Sequence, residues 1–567
     1  MIEGTKPWIG QSSATVAGLP APPSFPRDRM RPRLYLVLVA FFGLYAAIAG
    51  RLTVLAMTDP PVVAARGSTV TAARPDIVDR NGEVLATDIK SASLFAEPRR
   101  ILDVDEAAEL ISGVLPGLEV AALRKKLAGN AGFAWIKREV TPAQRAQLHE
   151  LGIPGLGFVT ENRRFYPGGP TSSHLLGAVN VDNQGIAGIE KFVDAGGLAD
   201  LQSTGFARAD GLQPVRLSVD LRVQNVLRSE LSAAMQRYQA IAATGVILDV
   251  HTGEVMAMVS LPDFDPNTPA EALLPDRLDR MAAGVFEMGS VFKTFTVAMA
   301  LDAGKATLAS TYDASHALEI GRFSIDDFHG KHRVLTLPEV FIYSSNIGAA
   351  KMALSVGTEG HQEFLRRIGL TKPVRTELPE AGAPLLPQQW SELSTMTIAF
   401  GHGISVTPLH TAVAAAALVN GGTLIPPTFL PRDRATAEKL GTRVVKPSTS
   451  AAMRYLFRLN VEKGSGTRAE APGYLVGGKT GTAEKIDNGK YSSEKRFNSF
   501  LAAFPMDDPR FVVLVVLDEP KAEKAGASAT ASVNAAPTVA SIVRRAAPML
   551  GVLPRPTAKD GPLVAAR

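Results

Sequence analysis

YLVGGKTGTA at 474–483, FNSFLAAF at 497–504 and FVVLVVL at 511–517 are three strand-forming runs set close together late in the chain. Each is rich in β-branched, aromatic or small residues and is bounded by turn-forming or charged positions. Working outward, GVILDV (245–250) and EVMAMVS (254–260) flank His251-Thr252-Gly253 and read as a β-hairpin. The interval between the early pair and the late three is mostly helical in pattern, with the clearest stretch at 288–303. A last helix is expected around 538–550. Two early strands and three late ones, with helices between, predict one antiparallel sheet built from both ends of a domain, its faces covered by helices.

Three short motifs lie within that frame. Ser290-Val291-Phe292-Lys293 opens the long helical stretch after Gly289. A spacing of three puts both side chains on one helix face. A serine hydroxyl becomes a good nucleophile only when a base takes its proton. Lysine is such a base only when neutral, so its pKa must fall from ~10.4 toward ~7–8. Burial among Phe292, Phe295 and Val297 acts in that direction, as does a second nearby cation, for which Lys479 is the candidate. Ser492-Ser493-Glu494-Lys495 repeats the spacing in a polar connection between strands, where nothing desolvates the lysine.

Ser344-Ser345-Asn346 carries a hydroxyl and an amide two apart, a spacing that suits a turn or helix end better than one helix face. Such a serine can relay a proton, and such an amide can both donate to and accept from a peptide; capping is the plainer role for the same residues. Lys479-Thr480-Gly481-Thr482 follows Gly477-Gly478 inside a strand signal. Glycine weakens a strand unless another backbone must come close. An edge strand of this kind can take an extended peptide as one more strand, with Lys479 and Thr480 offering charge and a hydroxyl to a carboxylate.

In this order the three motifs resemble those of the transpeptidase domain of penicillin-binding proteins. SLPDFDPN (260–267), FGHGISVTPL (400–409) and GTRAEAPGYLVGGKTGTAEK (466–485) extend the resemblance over about 240–548. DIVDRNGEVLA (76–86), RRFYPGG (163–169), HLLG (174–177) and GIAGIEK (185–191) resemble the pedestal of class B members, with Pro75 standing where that pattern carries glycine. The compact pedestal and FGHGISVTPL look more like the division-specific type, penicillin-binding protein 3, than the elongation type. The resemblance implies an α+β multidomain protein. Its transpeptidase domain is a five-stranded antiparallel sheet with helices on both faces, set on an elongated α+β pedestal behind a single transmembrane helix. The domains expected are a cytoplasmic tail (1–33), an anchor (34–57), the pedestal (58–239), the transpeptidase domain (240–548) and a flexible tail (549–567).

The resemblance also implies roles. Ser290 is the acylated nucleophile, Lys293 its base, Ser344 the proton shuttle, and Lys479 completes the catalytic set. Asn346, Thr480, Gly481 and Thr482 bind substrate, and the backbone N–H groups of Ser290 and Thr482 form the oxyanion hole. The implied reaction is acyl transfer from the D-Ala-D-Ala end of a peptidoglycan stem peptide, with β-lactams as covalent inhibitors. A β-lactamase is disfavoured, because no Glu-x-x-Leu-Asn run is present. A bifunctional class A protein is disfavoured by pedestal motifs where a glycosyltransferase domain would stand. A silent β-lactam sensor or division scaffold is disfavoured by three intact motifs.

LYLVLVAFFGLYAAIAG (34–50) is uncharged, follows RDRMRPR, and at ~1.5 Å per residue is ~26 Å long, near the ~30 Å hydrocarbon core of a bilayer. Extended to Met57 it reads as one tilted helix with the amino end cytoplasmic and the remainder outside the inner membrane; a cleaved signal peptide is the rival reading. The chain has 567 residues and a formal charge of +5. Lys6, Arg27, Arg29, Arg31 and Arg33 against Glu3 and Asp28 place much of that charge before the apolar run. A nucleic-acid surface is therefore not expected. With Cys 0, disulfides, thiolate metal sites and cysteine nucleophiles are excluded. His174, His251, His329, His332, His402 and His410 are scattered without a ligand spacing, so neither metal nor cofactor is expected. His402, after Gly401, is expected to position a loop at the rim of the site. The family further implies a membrane-embedded glycosyltransferase and other division proteins as partners.

Overall fold

The structure is a computed structural model. It describes residues 30–57, 73–198, 212–321, 323–487, 490–524 and 526–555. The chain divides into two units, 1–69 and 70–567. In the first, α1 (Met30–Met57) forms where the anchor is expected. Tyr35, Leu36, Val39 and Phe42 along it are exposed. Among the described residues no helix is long and apolar enough to cross a membrane. The tail expected at 1–33 lies outside the described residues as far as residue 29.

The second unit begins with the pedestal. Strands β1 (Ile77–Val78) and β2 (Val84–Ala96) precede helices α2 (Val104–Val114) and α3 (Val120–Leu127). Strand β3 (Ala134–Val140), helix α4 (Pro142–Glu150) and strand β4 (Leu156–Phe165) follow, and β5 (Val215–Arg216) closes the sheet. The order is β3-β2-β1-β5, with β4 also paired to β2. The TPAQRAQLHELG stretch forms α4, started by a capping box in which Thr141 accepts from the Gln144 N–H and the Gln144 side chain accepts from the Thr141 N–H. Leu94, Ile111, Leu115, Leu123, Ile136 and Leu148 form the pedestal's own core.

The motifs RRFYPGG and GIAGIEK meet in a buried ionic network. Arg164 donates to Glu190 at 2.6 Å, to Asp88 at 3.1 Å and to the Pro75 carbonyl at 2.9 Å. Arg74 donates to the same Glu190 carboxylate at 2.9 Å and to Asp194 at 2.6 Å. The Pro75 position therefore still serves the network through its carbonyl.

Helix α5 (Leu221–Tyr238) leads into β6 (Ala242–Asp249) and β7 (Val255–Leu261). The helical layer includes α6 (Lys293–Asp302), α7 (Leu337–Tyr343), α8 (Asn346–Val356), α9 (Pro408–Val419) and α10 (Pro447–Lys463). Strands β8 (Gly477–Asp487), β9 (Lys490–Phe504) and β10 (Phe511–Asp518) then precede α11 (Ala535–Ala546). The five strands are ordered β8-β9-β10-β6-β7, and all neighbours are antiparallel. The runs are apolar throughout because both faces are buried. Val512, Leu514 and Val516 join the core on the α6 and α9 side, while Val513, Val515 and Leu517 join the one under α5 and α11.

Two expected boundaries move. Helix α5 falls before the expected boundary at 239, yet Val223, Leu227 and Leu231 pack in the same core as Val513 and Val515, so it belongs to the transpeptidase layer. Residues 549–555 are not a loose tail. Val552 is buried, and the Arg555 N–H donates to the Gly473 carbonyl at 2.9 Å.

Candidate active site

Ser290 sits in a tight 3-10 turn, Gly289–Phe292, that runs directly into α6. In such a turn, residues three apart eclipse, and Lys293 Nζ lies 3.0 Å from Ser290 Oγ. Gly289 holds φ +53°, and a Cβ there would meet the Thr482 carbonyl oxygen at 2.9 Å. The missing side chain therefore lets the serine turn press against β8.

Lys293 is 1% exposed and has four oxygens around its amine. They are the Ser344 carbonyl at 2.6 Å, Asn346 Oδ1 at 2.7 Å, Ser290 Oγ at 3.0 Å and Ser344 Oγ at 3.1 Å. None is a carboxylate. Burial lowers the Lys293 pKa to about 7, with the Asp327 charge pulling the other way. A neutral amine has two hydrogens and one lone pair. The two shortest contacts take the hydrogens, and the lone pair is left for the proton of Ser290.

The Ser-Ser-Asn motif is a reversal between two helices. Ser344 ends α7 in the left-handed region at φ +61°, and Ser345 caps α8 by accepting from the Gly348 N–H at 3.0 Å. Asp327 adds to that cap by accepting from the N–H groups of Asn346 and Ile347 at 2.6 and 3.0 Å. Asn346 is occupied at both ends, since its Nδ2 donates to the Asp326 carbonyl at 2.9 Å. A substrate amide must displace one of these contacts.

Strand β8 is the sheet's edge, and it brings Lys479 to the same cluster. Lys479 is fully buried and donates to Ser344 Oγ at 2.9 Å, so Ser344 bridges the two amines. Burial, then the charge of Lys293, lowers the Lys479 pKa well below its usual value. Lys479 is not among the causes acting on Lys293, whose shift comes from burial. Thr480 shares a hydrogen bond with Ser465 at 2.7 Å, and Thr482 Oγ1 accepts from the Ala531 N–H at 3.2 Å. A Cβ on Gly481 would run into Ser499 and the Met288 carbonyl, which explains glycine in a strand.

These groups line a cleft of about 500 Å³. Ser290, Ser344, Asn346, Thr480 and Thr482 lie on its wall. The sequence reasoning missed Asp327, Ser465, Glu484 and Arg496, all of which touch the cleft; Glu484 stands just past the Lys-Thr-Gly-Thr motif, and the other three lie outside the quoted motifs. His402 also lines it, with a pKa lowered to about 4 by burial and by Lys293. Its ring stacks on Tyr491 at 5.3 Å, and Tyr491 donates to Glu287 at 3.2 Å. The decoy serine, Ser492, lies outside the cleft lining, and its hydroxyl accepts from the N–H groups of Glu494 and Lys495.

Residues 243–540 match the penicillin binding protein transpeptidase domain, and 69–195 match the penicillin-binding protein dimerisation domain. The chain is 39% identical over 544 residues to a probable peptidoglycan D,D-transpeptidase FtsI of Caulobacter vibrioides, covering 93% of this chain and 90% of the relative. The chain belongs to the class B penicillin-binding proteins of the FtsI type. The Escherichia coli K12 peptidoglycan D,D-transpeptidase FtsI is 30% identical, covering 84% of this class B protein and 86% of that one. The transpeptidase domain of Burkholderia pseudomallei penicillin-binding protein 3 superposes with a TM-score of 0.54 at 31% identity, covering 60% of this chain and 98% of that one. A Mycobacterium penicillin-binding protein 3 structure shares the fold over 86% of this chain and 98% of its own, with a TM-score of 0.64 at 24% identity. Membership in this class fixes the protein as a serine-type peptidoglycan D,D-transpeptidase.

Proposed function

We propose that Ser290 is the nucleophile of this transpeptidase and that the buried Ser290–Lys293–Ser344–Lys479 chain carries its protons. The observation that bears the most weight is Lys293 Nζ, 3.0 Å from Ser290 Oγ in a pocket without a carboxylate partner, with a pKa of about 7. The stem peptide lies along the edge strand β8 as an added strand. Lys293 takes the Ser290 proton as Oγ attacks the carbonyl carbon of the penultimate D-Ala. The N–H groups of Ser290 and Thr482 receive the oxyanion, a contribution of ~2.7–4 kcal/mol for one such donor. The C–N bond then breaks, and the departing D-Ala amine takes a proton through Ser344. An amine of a second stem peptide reverses these steps and forms the crosslink.

The two amines share one charge in practice, because desolvation opposes a second. A substrate carboxylate near Lys479, Thr480 and Thr482 draws the charge to Lys479 and leaves Lys293 neutral as base. Asn346 and Gly481 complete the donor site. β-Lactams occupy the donor position and leave an adduct on Ser290.

The apolar run at 34–57 anchors the protein in the inner membrane with its amino end cytoplasmic and its catalytic unit outside, at the division septum. A membrane-embedded glycosyltransferase that makes the glycan strands is its partner. The test is intact-mass and peptide mass spectrometry of the full chain with penicillin. One adduct is expected, on Ser290 and absent in Ser290→Ala. An adduct elsewhere, or one that persists in that variant, refutes the assignment.

A further inference from the structure

Ser344 Oγ meets both buried amines, 2.9 Å from Lys479 and 3.1 Å from Lys293, so it does not choose which of them carries their shared charge. The remaining oxygens favour Lys293. Its amine also meets the Ser344 carbonyl at 2.6 Å and Asn346 Oδ1 at 2.7 Å. The further oxygens at Lys479 are the Thr480 carbonyl at 3.2 Å and Thr480 Oγ1 at 3.5 Å. A protonated Lys293 cannot take the Ser290 proton. Catalysis therefore needs a group that favours charge on Lys479.

The last turn of α7 holds such a group. Phe341 stands three residues before Ser344 and is fully buried, and the Lys479 Nζ lies over its ring, 5.9 Å from the centroid. A ring face attracts a cation within ~6 Å, and desolvation strengthens the attraction. Phe457 on α10 stacks on Phe341 at 6.0 Å with 19° between the planes, which holds the ring in place. Among the described residues this ring meets Lys479 and not Lys293.

The titratable groups nearby do not make the choice. Asp327 favours charge on Lys293. His402, with a pKa of about 4, is neutral. Arg458 on α10 is tied to Glu462 and Glu470, while Glu484 and Arg496 line the cleft from β8 and β9. Among the described residues no carboxylate bonds to Lys479, and burial and the charge of Lys293 both oppose its protonation. A carboxylate at the position of the ring would act on both amines, because a charge reaches far. The quadrupole of a ring falls off steeply and acts on the nearer one.

We infer that Phe341 is a positioning residue for the proton: its ring holds the shared charge on Lys479 and so keeps Lys293 neutral before any substrate arrives. The inference rests on the proposed role of Lys293 as the base of Ser290 and adds what selects between the two amines.

The test replaces Phe341 in the full chain with phenylalanine bearing one, two or three ring fluorines, which drain negative charge from the ring face and nearly keep its shape. The rate constant of acylation by benzylpenicillin is followed against pH. Each added fluorine is expected to move the rise near pH 7 to higher pH. The trifluoro ring should react about threefold more slowly at that pH, a displacement of about half a unit. The same fluorines on Phe457 should leave the rise where it is. A rise that does not move with fluorine number at Phe341, or that moves equally with fluorines on Phe457, overturns the inference. Failure of the unmodified protein to form a Ser290 adduct, or an acylation rate without a rise near pH 7, instead overturns the reading of Lys293 as base, and the role of Phe341 with it.

Discussion

Arg164 in the pedestal and Lys293 in the cleft are both buried cations, 3% and 1% exposed. Their surroundings resolve the same desolvation cost in opposite ways. Burial pulls the Arg164 pKa down, but Glu190 and Asp88 more than reverse it, and the net shift is upward. Burial pulls the Lys293 pKa down to about 7, and the Asp327 charge does not restore it. The pedestal keeps its charge by supplying carboxylates. Within hydrogen-bond reach of the Lys293 amine the cleft supplies only hydroxyl, carbonyl and amide oxygens, so the amine gives up its proton more readily. The difference separates structure from catalysis, because a permanent guanidinium fastens segments together whereas a lysine poised near neutrality moves protons.

Removing each cation's chemistry in turn tests that contrast. Lys293→Ala is expected to slow acylation by penicillin about 10²–10⁴-fold, the range for a lost general base. The folded state should survive, since no buried ion pair is broken; stopped-flow acylation and a thermal melt together check this. Unfolding of Lys293→Ala at ordinary temperature would mean that the amine is structural. Glu190→Gln should do the opposite. It leaves Arg74 and Arg164 buried beside a neutral amide and is expected to cost about 3–5 kcal/mol of stability by urea unfolding. A loss below 1 kcal/mol would show that Asp88 and Asp194 suffice for both arginines.

The pH dependence sharpens the same point. Lys293 acts as base only above its pKa, so acylation should rise with pH through about 7 and level off above it. Asp327 favours the protonated form, so Asp327→Asn should move that rise to lower pH. A rise that moves to higher pH would assign the limb to another group.

Much of this arrangement is legible in the sequence. The five strands announce themselves because their buried faces demand continuous apolar runs such as FVVLVVL. The three motifs are legible because catalysis fixes both residue type and spacing. What stayed hidden depends on segments brought together only by folding. Asp327 reaches α8 from a loop before α7, and Ser465 meets Thr480 across fifteen residues. The place of α5 stays hidden because an amphipathic helix shows one apolar face without showing what it will cover. The Glu484–Arg496 neighbourhood requires the register of β8 on β9, which no local pattern encodes.

The smallest expected effect belongs to the second Ser-x-x-Lys. Ser492 has the spacing of Ser290 but not its surroundings. Its hydroxyl is tied to two backbone N–H groups in the β8–β9 hairpin, and among the described residues no basic side chain bonds to it. Tyr491 beside it is half-exposed. Spacing brings a lysine near a serine, but only burial with no carboxylate in contact turns that lysine into a base. Ser492→Ala should therefore change the acylation rate by less than about twofold and leave the labelled peptide that of Ser290. A larger loss would assign the hairpin a part in catalysis that its hydrogen bonds do not support.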